Sequence, residues 1–550
     1  MNKIFLVLSF IILTNTVSHS QGGGISMGTN YRIYPGINSQ SEVFIVSHPG
    51  DPNTFFVSAN TLKFTGGFFV SEGIYVTTNG GQSWYGSDTC NGPNIFFHGG
   101  DPAISITSNG TFILTRKAST SSSGAYSHYS TDKGLNWSVQ KEISDDFLER
   151  VAIVTDNNPL SSYFGRTYAT WAMLTTPFPV KFTYTDDITA DWNNVIQLNN
   201  PTARGVGGDI ALGPNNEVYI CWGGTISSPP FTEIQVGFAS SVNGGTNWNV
   251  VENAFSINGI QGLLTTKQNI RVNGQPRMAV DVSQSQYRGT IYIVTSQKNL
   301  SPAGSDPDII LNKSTDGGLT WSQGIRVNQD QINNGKYQFF PGITIDQAGG
   351  INIIFYDDRN TTSDSSGVFL ARSTDGGNTW TEYEISDHNF KPTAIGGLGQ
   401  GYMGDNIDIA AVGNKLFPVW MDNSTCEYQV WTVPIELIPV SVDDPAVTLN
   451  EFKLDQNYPN PFNPVTKIKF SVPSVETGHA PSLHVTLKIY DLLGNELYTL
   501  VDEEKTAGQY EVEFNAENFA SGIYFYRIAI NSDRMKAGSH LQTKKMIYLK

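Results

Sequence analysis

The chain has 550 residues, of which 15% are charged and 12% aromatic, with 54 glycines and a formal charge of -16. Its length exceeds what one hydrophobic core organises, and a charge-poor, glycine- and aromatic-rich composition excludes disorder and coiled coil in favour of many short strands joined by tight turns. The acidity excludes nucleic acid and broadly polyanionic partners, which basic surfaces capture, while leaving room for a local basic pocket.

Residues 1–20 read as a secretory signal peptide: Lys3, an apolar run from Ile4 to Leu13, and small residues at Ser18 and Ser20 on either side of His19. The run is too short to span a bilayer, and no later stretch is long and apolar enough for a transmembrane helix. Next comes Tyr31-Arg32-Ile33-Tyr34-Pro35, ahead of the first repeat.

An eight-residue pattern, S/T-x-D/N-x-G-x-x-W, then recurs at Thr77–Trp84, Ser130–Trp137, Ser241–Trp248, Ser314–Trp321 and Ser373–Trp380. A sixth copy, Thr185–Trp192, keeps Asp187 and the tryptophan but has Thr189 in place of glycine. A short acid or amide accepts hydrogen bonds from its own turn, glycine supplies a positive φ, and tryptophan offers a large apolar face. The tryptophans lie 53 to 73 residues apart, a spacing suited to propeller blades. These turns resemble the Asp box, or bacterial neuraminidase repeat, of sialidases and of many non-enzymatic propellers. Asp132, Asp187, Asp316 and Asp375 are accordingly read as turn locks and not as catalytic acids.

Strand-like pairs precede the boxes, their first strands beginning near Glu42, Asp101, Arg150, Asp209, Arg277, Pro341 and Asp405. The expectation is an all-β propeller of about seven blades over residues 21–440, with six blades as the alternative. The last blade, Gly404–Ile438, has no box, so its outer strand is expected from the segment after Gln21, closing the ring end to end. Three cysteines are too few for a disulfide scaffold; Cys221 reads as a buried strand residue, and a Cys90–Cys426 bond is open if the first and last blades adjoin.

After a linker at 441–446, residues 447–550 read as a small Ig-like sandwich with strands near Thr466–Val472, His484–Tyr490, Glu496–Val501, Gln509–Phe514, Gly522–Ile530 and Lys544–Leu549. Its runs QNYPNPFNPVTKIKFSVP, IYDLLGNEL, SGIYFYRI and KKMIYLK resemble the type A C-terminal sorting domain of the type IX secretion system. That resemblance implies a Gram-negative bacterium, passage through the periplasm, engagement of the type IX machinery, and release or surface attachment.

Propeller ligands meet the ring at the mouth of its channel, so Glu42, Asp101, Glu149, Arg150, Asp209, Arg277, Arg359, Tyr402 and Asp405 are the candidate lining residues. Tyr31–Pro35 looks like the aromatic-Arg-Ile-Pro signature of sialidases, interrupted by Tyr34. The resemblance would make Arg32, with Arg277 and Arg359, the carboxylate-binding arginines, Tyr402 the nucleophile, and Glu217 or Glu233 its partner. A paired-carboxylate glycosidase would instead use Asp101 and Asp209. No cofactor is implied, and the histidines lack metal-ligand spacing. The first functional reading is glycan binding or adhesion at the cell surface or after release, with exposed aromatics such as Trp171, Trp222 and Tyr356 as stacking faces; the alternative is exo-α-sialidase activity.

Overall fold

Each repeat folds into an antiparallel sheet because its strand-forming runs are short, from two to 13 residues, and are separated by turns rich in glycine and asparagine. The computed structural model describes residues 24–438 and 453–550, apart from 64–68, 94, 96–97, 118–123, 397–398, 473–482, 506–507 and 532–539. The expected signal peptide and the linker at 441–446 lie outside the described residues. The chain divides into two compact units, Met1–Ile438 and Pro439–Lys550.

In the first unit, seven antiparallel sheets that each begin at an innermost strand follow one another among the described residues, here called blades 1 to 7; blades 2 to 6 have four strands, blade 1 five and blade 7 six. Their innermost strands are Ser39–His48, Ala103–Ile106, Ala152–Thr155, Gly205–Leu212, Arg277–Val280, Gln338–Ile345 and Asp408–Val412. Each innermost strand lies against the next, and that of blade 7 lies against that of blade 1, so the β-propeller closes. The core sits between blades: Phe56 and Val76 of blade 1 pack with Phe112, Leu114 and Trp137 of blade 2, and Phe238 of blade 4 packs with Ile291 and Ile293 of blade 5.

Closure uses the N-terminal segment. In blade 7 the strand Gln429–Thr432 pairs outward with Tyr31–Arg32, and Ile25–Met27 pairs with Ile435–Leu437. Tyr31 also donates its hydroxyl to the Gly81 carbonyl at 2.7 Å, tying the segment to the blade 1 turn.

The five intact turns share one hydrogen-bond pattern. In the blade 5 copy, Gly318 N–H donates to Ser314 Oγ at 2.9 Å and Thr320 N–H donates to Asp316 Oδ1 at 2.9 Å. The same two bonds recur from Gly81 and Ser83, Gly134 and Asn136, Gly245 and Asn247, and Gly377 and Thr379. The sixth copy differs because Thr189 replaces the glycine: Asp187 Oδ1 accepts from Thr189 N–H only two residues on. The turn tryptophans do more than cover their own hairpins. They reach the preceding blade, as Trp248 does against Phe182 at 4.7 Å and Trp321 against Phe238 at 5.1 Å. Ser314→Ala leaves the buried Gly318 N–H without its acceptor, so a loss of about 1–3 kcal/mol in urea unfolding is expected.

Two expectations are corrected. Cys90 and Cys426 are both free: Cys90 is buried between blades 1 and 2, whereas Cys426 is exposed in a blade 7 turn. Trp171, Trp222 and Tyr356 are fully buried in blade packing and offer no face to a sugar. Cys221 is buried in its strand as expected.

The second unit is a sandwich of a three-stranded sheet (Lys453–Leu454, Val465–Val472, Gly508–Asn515) and a four-stranded one (Glu496–Lys505, Leu483–Tyr490, Gly522–Asn531, His540–Tyr548). Strict alternation in Leu483–Tyr490 turns Leu483, Val485, Leu487 and Ile489 to the core, where they meet Ile468, Phe470, Phe514, Tyr526 and Met546.

Candidate functional site

The innermost strands do not begin as regular β structure. Pairing slips between Ser41 and Phe44 in blade 1, between Val206 and Gly208 in blade 4, and between Phe339 and Gly342 in blade 6. At these bulges, and just before the blade 2 strand, Glu42, Gly207, Phe340 and Asp101 hold φ of 53°, 53°, 52° and 53°. A bulge re-aims its side chain, and a left-handed non-glycine residue costs on the order of 1–3 kcal/mol, so Glu42 and Asp101 are held in place by the surrounding structure.

Tyr402 joins Glu42 and Asp101 here. Its hydroxyl lies 3.2 Å from Ser41 Oγ and accepts from Asn60 Nδ2 at 3.1 Å, while the Arg271 guanidinium lies 5.4 Å from its ring centroid. Arg271 pairs with Asp405 at 3.1 Å and Lys117 pairs with Asp101 at 2.8 Å. Burial, reinforced by Asp101, Asp405 and Glu149, raises the Glu42 carboxyl well above the usual carboxylate range. Burial likewise raises Glu149 and Asp405, and it holds Tyr402 as the neutral phenol. A cluster of perturbed acids with one tyrosine is a candidate ligand site.

Arg271 belongs to no blade. It lies on a hairpin, Gly262–Leu264 paired with Ile270–Val272, inserted between blades 4 and 5. Leu264, Ile270 and Val272 bury their side chains against Met403, Phe339 and Tyr356, and Arg271 N–H donates to the Gly401 carbonyl at 2.8 Å. Gly401 has φ 74°, and a Cβ there would stand 2.1 Å from the Asn269 carbonyl oxygen, so only glycine permits this approach. Lys267, fully buried, donates to the Asp358 carboxylate and to the carbonyls of Ser363 and Ser365, at 2.6 and 2.9 Å for the two carbonyls.

The hairpin walls a pocket of about 180 Å³. Glu149, Asp405 and Arg271 line it with the carboxamides of Gln261, Asn273, Gln275 and Gln400 and with the chain at Ala172–Leu174 and Gly205–Gly207. Glu233, fully buried, accepts from Gly274 N–H at 3.1 Å near the hairpin's base, and its other carboxylate oxygen has no hydrogen-bond partner. Burial raises Glu233 to about 7. For an acid whose folded pKa is raised, the unfolded chain ionises first, so stability is greatest below 4.5 and declines until the folded group ionises near 7. Glu233→Gln is expected to flatten this part of the profile of melting temperature against pH, a decline of a few kcal/mol in the parent protein.

The sequence-derived candidates divide into separate places. Glu42, Asp101, Glu149, Tyr402 and Asp405 come together. Arg150 and Arg277 flank the Phe44 ring at 4.8 and 5.3 Å, with Arg277 3.6 Å from Asp209 and 3.7 Å from Asp408, while Arg150 also lies close enough to Glu42, Glu149 and Asp405 to interact with their charges. Arg32 is elsewhere: it sits on the outermost strand of blade 7, over Trp431. Arg359 is elsewhere too, bound to Asp357 and Glu382 and stacked on Phe369 of blade 6. Three arginines therefore do not converge beside Tyr402. Glu217 caps a turn at Asn215, away from the mouth. Among the described residues, no group of three or more His, Cys, Asp or Glu could hold a metal ion, and no helix is long and apolar enough to cross a membrane.

Residues 456–547 match the secretion system C-terminal sorting domain, so the second unit is a sorting domain of the kind that directs export. No curated protein matches the chain. Among solved structures, a protein of unknown function from Dyadobacter fermentans is 9% identical, covering 75% of this chain and 99% of that one at a TM-score of 0.44. A polysaccharide lyase described as an ulvan lyase is 11% identical over 72% of this chain and 93% of its own, at a TM-score of 0.46. A Hadza microbial sialidase is 11% identical over 69% of this chain and 76% of its own, at a TM-score of 0.38.

Proposed function

We propose that the protein is an exported carbohydrate-binding propeller, carried by the type IX secretion machinery to the cell surface or beyond, that holds a single sugar unit at its channel mouth. The lining of the pocket carries this reading. Four carboxamides, two carboxylates and a guanidinium around about 180 Å³ supply many planar hydrogen-bonding groups beside the apolar Ala172, Met173, Leu174 and Val206, which suits a polyhydroxylated ligand with an apolar ring face. The volume is below that of ordinary drug-sized pockets, so one sugar ring enters and a longer chain continues outside.

Arg271→Ala removes a charged donor and is expected to weaken glycan binding by about 10- to 100-fold, a loss of about 1.5–3 kcal/mol. Titration calorimetry against saccharides first selected on a glycan array reads this directly; equal affinity in the variant would place the ligand elsewhere.

The second reading is exo-α-sialidase activity, favoured by one observation: the Tyr402 hydroxyl is oriented by Ser41 and Asn60 beside Glu42 and Asp101. Against it stand the neutral state of that phenol and the separate positions of Arg32 and Arg359. An α-linked sialoside reporter is expected to remain uncleaved from pH 4 to 8, about the range in which carboxyl and imidazole groups titrate. Turnover abolished by Tyr402→Phe would establish the enzyme.

A further inference from the structure

Two matching turns adjoin the pocket. Blade 3 connects Thr167–Ala172 to Val180–Thr185 through Thr175-Thr176-Pro177-Phe178, and blade 4 connects Val218–Thr225 to Glu233–Ser241 through Ser228-Pro229-Pro230-Phe231. In each turn the phenylalanine N–H donates to the carbonyl that opens the turn, Phe178 to Thr175 at 2.8 Å and Phe231 to Ser228 at 2.9 Å. Both phenylalanines hold a left-handed backbone, at φ 64° and 62°, which is costly for a bulky residue. Their rings meet edge to face, centroids 5.1 Å apart, across the gap between the two blades, and both residues are half-buried. The equivalent connection of blade 5, residues 298–307, has no aromatic residue.

Backbone bonds fasten this aromatic pair to the pocket wall. Leu174, which lines the pocket, runs directly into the first turn, and Gly205, which also lines it, donates its N–H to the Phe178 carbonyl at 3.0 Å. Arg204 precedes Gly205: its carbonyl accepts from Thr225 N–H at 3.2 Å, and its guanidinium lies 5.5 Å from the Phe178 ring centroid. Arg271 in the wall is taken up by Asp405, but among the described residues the Arg204 guanidinium has neither a hydrogen bond nor an ion pair. An arginine packed on an aromatic ring presents its N–H donors in a fixed plane, a fork that meets a carboxylate or a sulfate with two parallel bonds. The ring pair supplies what the arginine lacks, an apolar surface for the face of a sugar ring.

Resting on the carbohydrate reading above, we infer that the glycan leaves the pocket at the gap between blades 3 and 4 and that the unit next to the one in the pocket is acidic, its ring packed on Phe178 and Phe231 and its carboxylate or sulfate ester bound by Arg204. A neutral sugar at that place gains the ring contact and leaves the guanidinium without an anion, so the neutral counterpart of an acidic chain is the sharpest comparison.

The full exported protein is titrated at about pH 7, where a uronate is ionised, with three probes: an unsulfated chondroitin tetrasaccharide, in which uronates alternate with neutral amino sugars; the same chain with its carboxyls reduced to alcohols; and that reduced chain carrying sulfate esters. The expected result is binding of the carboxylated or the sulfated probe at least about 10-fold tighter than of the neutral one, and the probe that shows the preference tells carboxylate from sulfate ester. In variants that thermal unfolding shows to be folded, Arg204→Gln is expected to bring the acidic probes down to the affinity of the neutral one, and Phe231→Ala to weaken all three alike. Equal binding of the three, tighter binding of the neutral probe, or binding of none of them by a protein that binds other array glycans overturns this inference and leaves the carbohydrate reading standing. An acid preference that survives Arg204→Gln overturns the seat given to Arg204, and affinities unchanged by Phe231→Ala overturn the seat given to the rings. Binding of none of the array glycans overturns the carbohydrate reading, and this inference falls with it. The comparison among probes uses the parent protein, so it does not depend on a variant folding.

Discussion

A chain beginning at Pro35 is expected to lose more than about 5 kcal/mol of stability relative to one beginning at Gly24, even though it keeps every complete blade repeat. Three contributions add up. Ile25 and Ile33 are buried, and burying such side chains is worth about 1.5–3 kcal/mol each. Backbone bonds from Gly28 to the Pro434 carbonyl, from Ile33 to the Val430 carbonyl and from Ile438 to the Gly24 carbonyl, at 2.8, 2.9 and 2.7 Å, are lost at about 0.5–1.5 kcal/mol apiece. Tyr31 also accepts from Trp84 Nε1 at 3.2 Å, so the blade 1 turn loosens with blade 7. The loss is a large share of the roughly 5–15 kcal/mol that stabilises an ordinary domain. It also leaves Gln429–Thr432 as an open edge strand, and such edges recruit other chains. Urea unfolding should show a lower midpoint, with concentration-dependent association; coincident unfolding curves for the two chains would show that the segment does not hold the ring closed.

Lys267→Ala is expected to cost about 3–5 kcal/mol, because it strands the Asp358 carboxylate in the interior without its cation. Among the described residues, the Asp358 carboxylate then keeps only the Tyr337 N–H, at 2.8 Å, as a donor. The double variant Lys267→Met with Asp358→Asn should recover part of that loss, since it removes both charges together. The effect extends to the site. Lys267 anchors one end of the hairpin whose other strand carries Arg271, so the single variant should weaken saccharide binding about as strongly as Arg271→Ala while leaving Arg271 in place. Thermal unfolding and calorimetry on the same preparations separate the two effects. A Lys267→Ala protein with parental stability would contradict the anchoring role.

The repeats were readable because each turn must meet the same backbone requirements: Ser314, Asp316 and Gly318 each do one job, and their copies recur at fixed offsets. End-to-end closure was also legible, since the last blade lacked a turn signature and the N-terminal segment lacked a partner. Glu42, Asp101, Tyr402 and Asp405 could be grouped from their positions near the starts of the innermost strands, although nothing in the sequence marked the left-handed backbone that re-aims Glu42 and Asp101. Arg271 was missed. It lies outside the repeat, and its signal was the spacing of 73 residues between Trp248 and Trp321, where the other intervals run from 53 to 59. That excess is the inserted hairpin. Arg32 and Arg359 misled for the opposite reason. Arg32 sits in a signature-like run that the fold uses as an outer closing strand, and Arg359 is consumed by Asp357 and Glu382. Trp171, Trp222 and Tyr356 misled because an aromatic residue in a strand of alternating pattern serves packing as readily as recognition.

The site is decided by comparing the exported protein and its Arg271→Ala variant on one glycan array, with thermal unfolding confirming that both are folded. Saturable binding by the parent that falls by about 10-fold or more in the variant is the predicted result. Undiminished binding by the variant, or no binding by a folded parent, would contradict a carbohydrate site at the channel mouth.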